Sequence, residues 1–210
     1  MHNSTPGEVV AHFEDGSSAQ GAFLIGVDGI NSATRTAVFP DAPAPSYTRG
    51  IGSGGFARIS GVGEPNGELR RHHRRVGPIG RWPLYHLPFL PAWHRGDVCL
   101  AGDAAHAISP HMGQGAALAL EDAAMLARCL RDTGNVRGAF AAFEQRRRPR
   151  VEGLVLQARK TGGQMTPNGP VARALRDLML PFFLKLSLKN AESVYGYRVD
   201  GDHRAPVPAE

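Results

Sequence analysis

Residues Gly96–Asp122 read Gly-Asp-Val-Cys-Leu-Ala-Gly-Asp-Ala-Ala-His-Ala-Ile-Ser-Pro-His-Met-Gly-Gln-Gly-Ala-Ala-Leu-Ala-Leu-Glu-Asp. The apolar run Val98–Ala101 stops at Gly102-Asp103, and small residues lead to Pro110 and the Gly113-Gln114-Gly115 turn. Ala116, Ala117, Leu118, Ala119, Leu120 and Glu121 are strong helix formers. Strand, loop, glycine turn and helix in that order predict an α/β site that holds an anionic or electron-rich ligand at a helix N-terminus. Asp103 would stand at the carboxyl end of the strand, where ligands of such sheets bind. A carboxylate only accepts hydrogen bonds, so it suits a sugar hydroxyl. Its structural alternative is an N-cap or Asx turn. The glycines let backbone N–H groups approach a planar ligand, or simply make a tight turn.

The same logic occurs upstream. Ala22–Val27 is a continuous apolar run, expected to be a buried strand. It ends in Asp28-Gly29, with Asn31, Ser32 and Arg35 behind it, and Ser32 can cap the helix that follows. Val9–Phe13 predicts a strand, with a hairpin turn at Asp15-Gly16. Residues 40–80 are rich in Pro, Gly and Arg and predict short strands and loops, with Phe56–Ile59 one such strand. Gly50-Ile51-Gly52-Ser53-Gly54-Gly55 fits the pattern Gly-x-Gly-x-x-Gly. A dinucleotide fingerprint needs a buried strand before it and a helix after it, and neither flank supplies one. Trp82–His94 reads as a loop and short strand feeding Val98–Ala101.

Four helices are expected downstream. The first spans Gly115–Arg131, with Leu118, Met125, Leu126 and Leu130 on its core face. Asn135 caps a second that runs to Arg147, and Pro149 opens a third that ends at Gly162-Gly163. The fourth, Val171–Asn190, is interrupted at Pro181. The polar tail from Gly196 is expected to be loose.

Composition narrows the function classes. A chain of 210 residues, 42% apolar, suits one domain or a small pair. Its two cysteines, Cys99 and Cys129, lie in apolar segments and read as reduced core thiols. Met1–Val10 lacks the features of a signal peptide, and the apolar stretch Leu178–Leu188, which holds Pro181 and Lys185, is too short to span a bilayer. A cytoplasmic protein with no membrane contact is expected. The net charge is +5. Its two basic clusters, 70–75 and 146–150, carry no interleaved aromatics and read as solvated faces rather than a nucleic-acid surface. His72, His73, His94 and His111 lack partners at metal-ligand spacing, so no metal site is expected. No nucleophile signature is present. Nothing nearby in the sequence orients His106, so no catalytic residue is assigned.

Gly102-Asp103-Ala104-Ala105-His106 with Pro110, Gly113-Gln114-Gly115 and Glu121-Asp122-Ala123 resembles the GD motif of FAD-dependent aromatic hydroxylases. These are single-component flavoprotein monooxygenases of the para-hydroxybenzoate hydroxylase type. Gly26-Val27-Asp28-Gly29 with Ser32 and Arg35 resembles their DG motif, and Phe143-Glu144 through Arg150 their segment after the GD helix. The resemblance covers roughly residues 9–150. It implies an α/β fold: an incomplete FAD-binding Rossmann-like domain, a shortened substrate-domain sheet and a C-terminal helical segment. The corresponding divisions are 1–39 (DG part of the FAD domain), 40–95 (shortened substrate region), 96–195 (GD part and helices) and 196–210 (tail).

It also implies that Asp103, beside Gly102, holds the ribose part of FAD. Pro110, Gly113, Gln114, Gly115, Ala116 and Ala117 would lie against the isoalloxazine. Asp28, with Gly29, would sit near the pyrophosphate and Arg35 would support that region. NAD(P)H would be the reducing co-substrate, and an aromatic or similar small molecule would be hydroxylated. The family's N-terminal βαβ unit, with its own Gly-x-Gly-x-x-Gly, has no counterpart in these residues, and Asp28 and Asp103 stand closer in sequence than is usual there. An incomplete sheet invites self-association or a partner fragment, so the alternative is a non-catalytic flavoprotein remnant or subunit.

Overall fold

In the computed structural model, residues 2–5, 7–59, 73–165, 169, 174, 177–179 and 194–199 are described. Strands β1 (His2–Thr5), β2 (Glu8–His12) and β3 (Ser18–Gly21) form an antiparallel sheet. The β2–β3 turn is the one expected at Asp15-Gly16: Asp15 accepts from the Ser17 amide at 2.9 Å, and Gly16 takes a positive φ of 82°. Strand β4 (Leu24–Gly26) then leads to helix α1 (Ala33–Val38), whose N-cap Ser32 accepts from the Arg35 amide at 2.8 Å as anticipated.

Residues 40–80 depart from the expectation of short strands. β5 (Ser46–Ile59) and β6 (His73–His86) make one long antiparallel ribbon. The glycine-rich stretch 50–55 lies inside β5, so its glycines serve a strand and not a phosphate loop. Gly52, Gly54 and Gly80 form the floor under the Trp82 ring, and a Cβ at Gly52 would collide with the indole.

The site rests on a third sheet, ordered β4-β8-β7, with β7 at His94–Arg95 and β8 at Val98–Leu100. β4 and β8 run parallel in the register Leu24↔Val98, Ile25↔Cys99, Gly26↔Leu100. Val98, Cys99 and Leu100 are buried, as a continuous apolar run requires. The β4 run was expected to be equally buried. It is shorter and half-open instead, with Phe23 and Val27 exposed, because β4 is the outer strand of this sheet among the described residues.

Helix α2 (Asp103–His106), a 3-10 turn (Pro110–Met112) and helix α3 (Gly115–Asp132) follow. Leu118, Met125 and Leu126 of α3 join the core with Trp93, Phe140 and Phe143. Asn135 accepts from the Gly138 amide at 2.7 Å at the start of α4 (Val136–Met165). Two helices were expected here, broken at Pro149. One helix runs through it. Pro149 forfeits a backbone bond, but the turns beside it are fixed by buried Phe143, Val151 and Leu154 and by the ion pairs of Arg148 with Glu144 and Glu152. Most of the expected fourth helix lies outside the described residues. The expectation of a loose tail fails for its first residues. Arg128 donates to the Val199 carbonyl at 2.7 Å, and Tyr197 lies under the Arg150 guanidinium at 3.9 Å.

The 146–150 cluster is a solvated face only in part, because Arg146 is exposed and the other three arginines are engaged. Arg147 is fully buried against Asp122 and Glu121, Arg148 donates to the Leu90 carbonyl, and Arg150 pairs with Glu121 at 2.8 Å. These arginines fasten α4 to α3 and to the approach to β7. No helix among the described residues is long and apolar enough to cross a membrane.

Asp97, buried just before β8, accepts two bonds from Arg137 at 2.8 and 2.9 Å and one from the Gly7 amide at 3.1 Å. The Arg137 bonds outweigh burial and hold its pKa down to about 2, against an ordinary value of 3.8. A carboxylate with a depressed native pKa stabilises the fold above its unfolded pKa, and that contribution is lost as pH falls through the native value. The thermal midpoint should therefore drop between about pH 4 and 2, and Asp97→Asn should flatten that slope when both are followed by circular dichroism.

Candidate functional site

The parallel pairing of β4 with β8 brings two stretches together that stand far apart in sequence. Both strands end at the same edge, so the turns at Asp28-Gly29 and Gly102-Asp103 become neighbours. Arg35 ties them: its guanidinium donates to the Ala104 carbonyl at 2.9 Å and to the Ile30 carbonyl of its own loop.

Beyond these ends lies a cleft of about 820 Å³. It is lined by Ile25, Val27, Gly29 and Ala101 from the strand ends and by Gly102, Asp103, Pro110, Gly113, Gly115 and Ala116 from the turns and the start of α3. It continues along α3 past Ala119 and Ala123 to Leu130. Asp103 is exposed at the start of α2 while Ala104, Ala105 and His106 behind it are buried, so its carboxylate is the part of this turn that faces outward. Among the described lining residues it is the one charged group. Gly102 takes φ +57°, a conformation that favours glycine, and turns the chain from β8 into α2. Gly113 takes φ +63° with open space where a Cβ would project. The first N–H groups of α3 have no intrahelical partners, and no side chain caps this end.

Of the residues singled out from the sequence, the cleft gathers Gly29, Gly102, Asp103, Pro110, Gly113, Gly115 and Ala116. The other four are not among its lining. Asp28 turns back onto its own loop, accepting from the Ser32 hydroxyl at 2.6 Å and the Thr34 amide at 2.9 Å. Burial raises its pKa, but these bonds outweigh it and hold the group below the usual carboxylate range. Arg35 is buried in its carbonyl contacts, Gln114 is buried as the N-cap of α3, and Ala117 is half-buried.

Sequence reasoning missed the support behind the turn. His106 was left without an orienting partner, and the structure supplies one: Asp122 lies 2.6 Å from its Nε2. The signal was available, because helical period puts residue 122 on the same face as Leu118, Met125, Leu126 and Cys129. A charged residue on a core face demands partners.

Residues 82–158 match the FAD binding domain family. Over 75 residues the chain is 50% identical to the 6-hydroxynicotinate 3-monooxygenase of Pseudomonas fluorescens, an alignment covering 35% of this chain and 20% of that protein. Over 102 residues it is 41% identical to a salicylate hydroxylase of Pseudomonas putida, covering 47% of this chain and 24% of the relative. The fold is similar to that of Klebsiella pneumoniae HpxO, solved with FAD and uric acid. The TM-score is 0.67 at 24% identity, over 84% of this chain and 60% of HpxO. These matches span less than two thirds of each relative's length. Residues 82–158 thus match part of an FAD binding domain, and over part of its length the chain is similar to FAD-dependent aromatic hydroxylases.

The local backbone is under steric control that can be tested. A Cβ at Gly26 would lie 2.6 Å from the Thr34 Cγ2 and 2.9 Å from the Leu100 Cδ2. Gly26→Ala should cost about 1–3 kcal/mol in denaturant unfolding, because the packed core cannot yield.

Proposed function

We propose that this chain forms the flavin-ring and ribityl side of an FAD site in an NAD(P)H-dependent monooxygenase that hydroxylates an aromatic or similar small molecule in the cytoplasm. The observation that carries the reading is the convergence of a strand-end carboxylate, Asp103, and an uncapped helix N-terminus, at Gly115, on one cleft. The residues fit the cofactor. The carboxylate accepts from sugar hydroxyls. The apolar lining of Ile25, Val27 and Ala101 suits a flat ring system, and the open glycine at 113 lets such a ring approach the backbone. Bound FAD would supply hydride acceptance from NAD(P)H and oxygen activation.

The chain's own residues orient and polarise. Asp103 would fix the ribityl or ribose hydroxyls. The free N–H groups of residues 115–117 and the α3 dipole would favour negative charge on the ring edge nearest them, which lowers the cost of the reduced anionic form. Pro110 and Gly113 would close over one ring face. Buried Cys99 and Cys129 are both free, as a reducing compartment requires.

A second reading has its own observation. The outer edge of β4 is unpaired among the described residues. Beside it the outward face of α3 exposes Ala116, Ala119, Leu120, Ala123 and Ala127. An unpaired parallel edge next to an apolar helix face accepts a strand and a helix. A second copy or a partner fragment seated there would complete the sheet.

Two measurements test these readings. Titration of the purified chain with FAD should quench flavin fluorescence, and Asp103→Ala should weaken binding about tenfold, the effect of losing a charged hydrogen bond. Unchanged affinity would remove Asp103 from the site. Light scattering should show concentration-dependent association if the α3 face docks a second copy, and Ala123→Arg should abolish it. A monomer at all concentrations would exclude self-association.

A further inference from the structure

The side of the Gly102-Asp103 turn facing away from the cleft is held by one buried group. Asp122, in the third turn of α3, is fully buried. Its Oδ2 accepts the Gly102 amide at 2.9 Å and lies 2.6 Å from the His106 Nε2. Its Oδ1 accepts from the Arg147 Nε at 2.8 Å. Burial pushes the Asp122 pKa up, but the His106 and Arg147 bonds outweigh it, and the net shift is downward. The group is a carboxylate and can only accept, so Nε2 of His106 carries the hydrogen. Trp93 packs on the imidazole at 4.9 Å.

Gly102 is the N-cap of α2 and His106 its last residue. One oxygen therefore grips both ends of the short helix whose first residue is Asp103. That oxygen belongs to α3, whose N-terminus forms the opposite wall of the cleft. The two halves of the site are set by one helix. His106 is buried with Nε2 engaged behind the turn and is not among the cleft residues, so a proton-transfer role toward a ligand does not follow.

We propose that Asp122 and His106 form a positioning pair that holds Asp103 at a fixed place relative to the N-terminus of α3. The ligand in this proposal rests on the flavin reading, whereas the positioning rests on the chain's own geometry.

The test uses the full chain with Asp122→Asn and, because that variant may fail to fold, His106→Gln, which leaves the Asp122–Arg147 pair in place. Amide hydrogen exchange is read at residues 102–106 against residues 125–129 of α3. Positioning predicts exchange about tenfold faster at 102–106 in His106→Gln, with 125–129 within about threefold of the parent. The second readout is FAD affinity in a double-mutant cycle with Asp103→Ala. Asp103→Ala should weaken binding about tenfold in the parent and less than about twofold in the His106→Gln or Asp122→Asn background. Uniform acceleration across α2 and α3, or additive effects in the cycle, would overturn the proposal and reduce the pair to a general core contact. If the parent chain binds no FAD, the flavin reading falls and the exchange pattern alone decides the positioning.

Discussion

A single buried carboxylate sets the architecture of this site. Asp122 stands where helical period requires a core residue and is surrounded by Gly102, His106 and Arg147. A buried charge in that position is tolerable only when it is paired and hydrogen-bonded. Those bonds join three elements: the end of β8, the short helix α2 and the long helix α4. Truncating one partner of such a network leaves the others buried and unpaired, which costs more than the pair itself contributes. The basic run 146–150 follows from the same constraint, because α4 must bring Arg147 to Asp122 and Arg150 to Glu121.

The consequence for function is geometric. Ligand sites at the carboxyl ends of parallel strands depend on turns, and turns are the mobile parts of a fold. Here the Asp28 loop is closed on itself through Ser32 and Thr34 and fastened to α2 by Arg35. The Asp103 turn is fastened to α3. The outward carboxylate is thus presented by a backbone with little freedom, as binding without a large ordering cost requires.

Much of this was legible in the sequence. Abrupt stops of apolar runs at Val27-Asp28 and Ala101-Gly102-Asp103 marked both strand ends, and Ser32, Asn135 and the Asp15-Gly16 turn did what their chemistry dictates. The glycine-rich stretch 50–55 was rightly set aside on its flanks, although its purpose, a floor for Trp82, depends on a cross-strand contact that local pattern does not display. Three features were misread for physical reasons. Pro149 stays inside α4 because tertiary contacts on either side outweigh a lost backbone bond. Arg147 and Arg150 turn inward because their carboxylate partners, Asp122 and Glu121, lie on another helix. His106 finds its partner sixteen residues away on α3. Each depends on contacts between elements, where single-sequence periodicity is silent.

The central claim is that Asp103 and the α3 N-terminus act together as one flavin-binding surface. Its most direct test is nitrogen–proton NMR mapping of the amides on titration with FAD. The account predicts saturable shifts at Gly102, Asp103, Gly113, Gly115 and Ala116, with residues 50–55 of β5 unmoved. Shifts confined to the β5–β6 ribbon, or none at the cleft when flavin is bound, would contradict it.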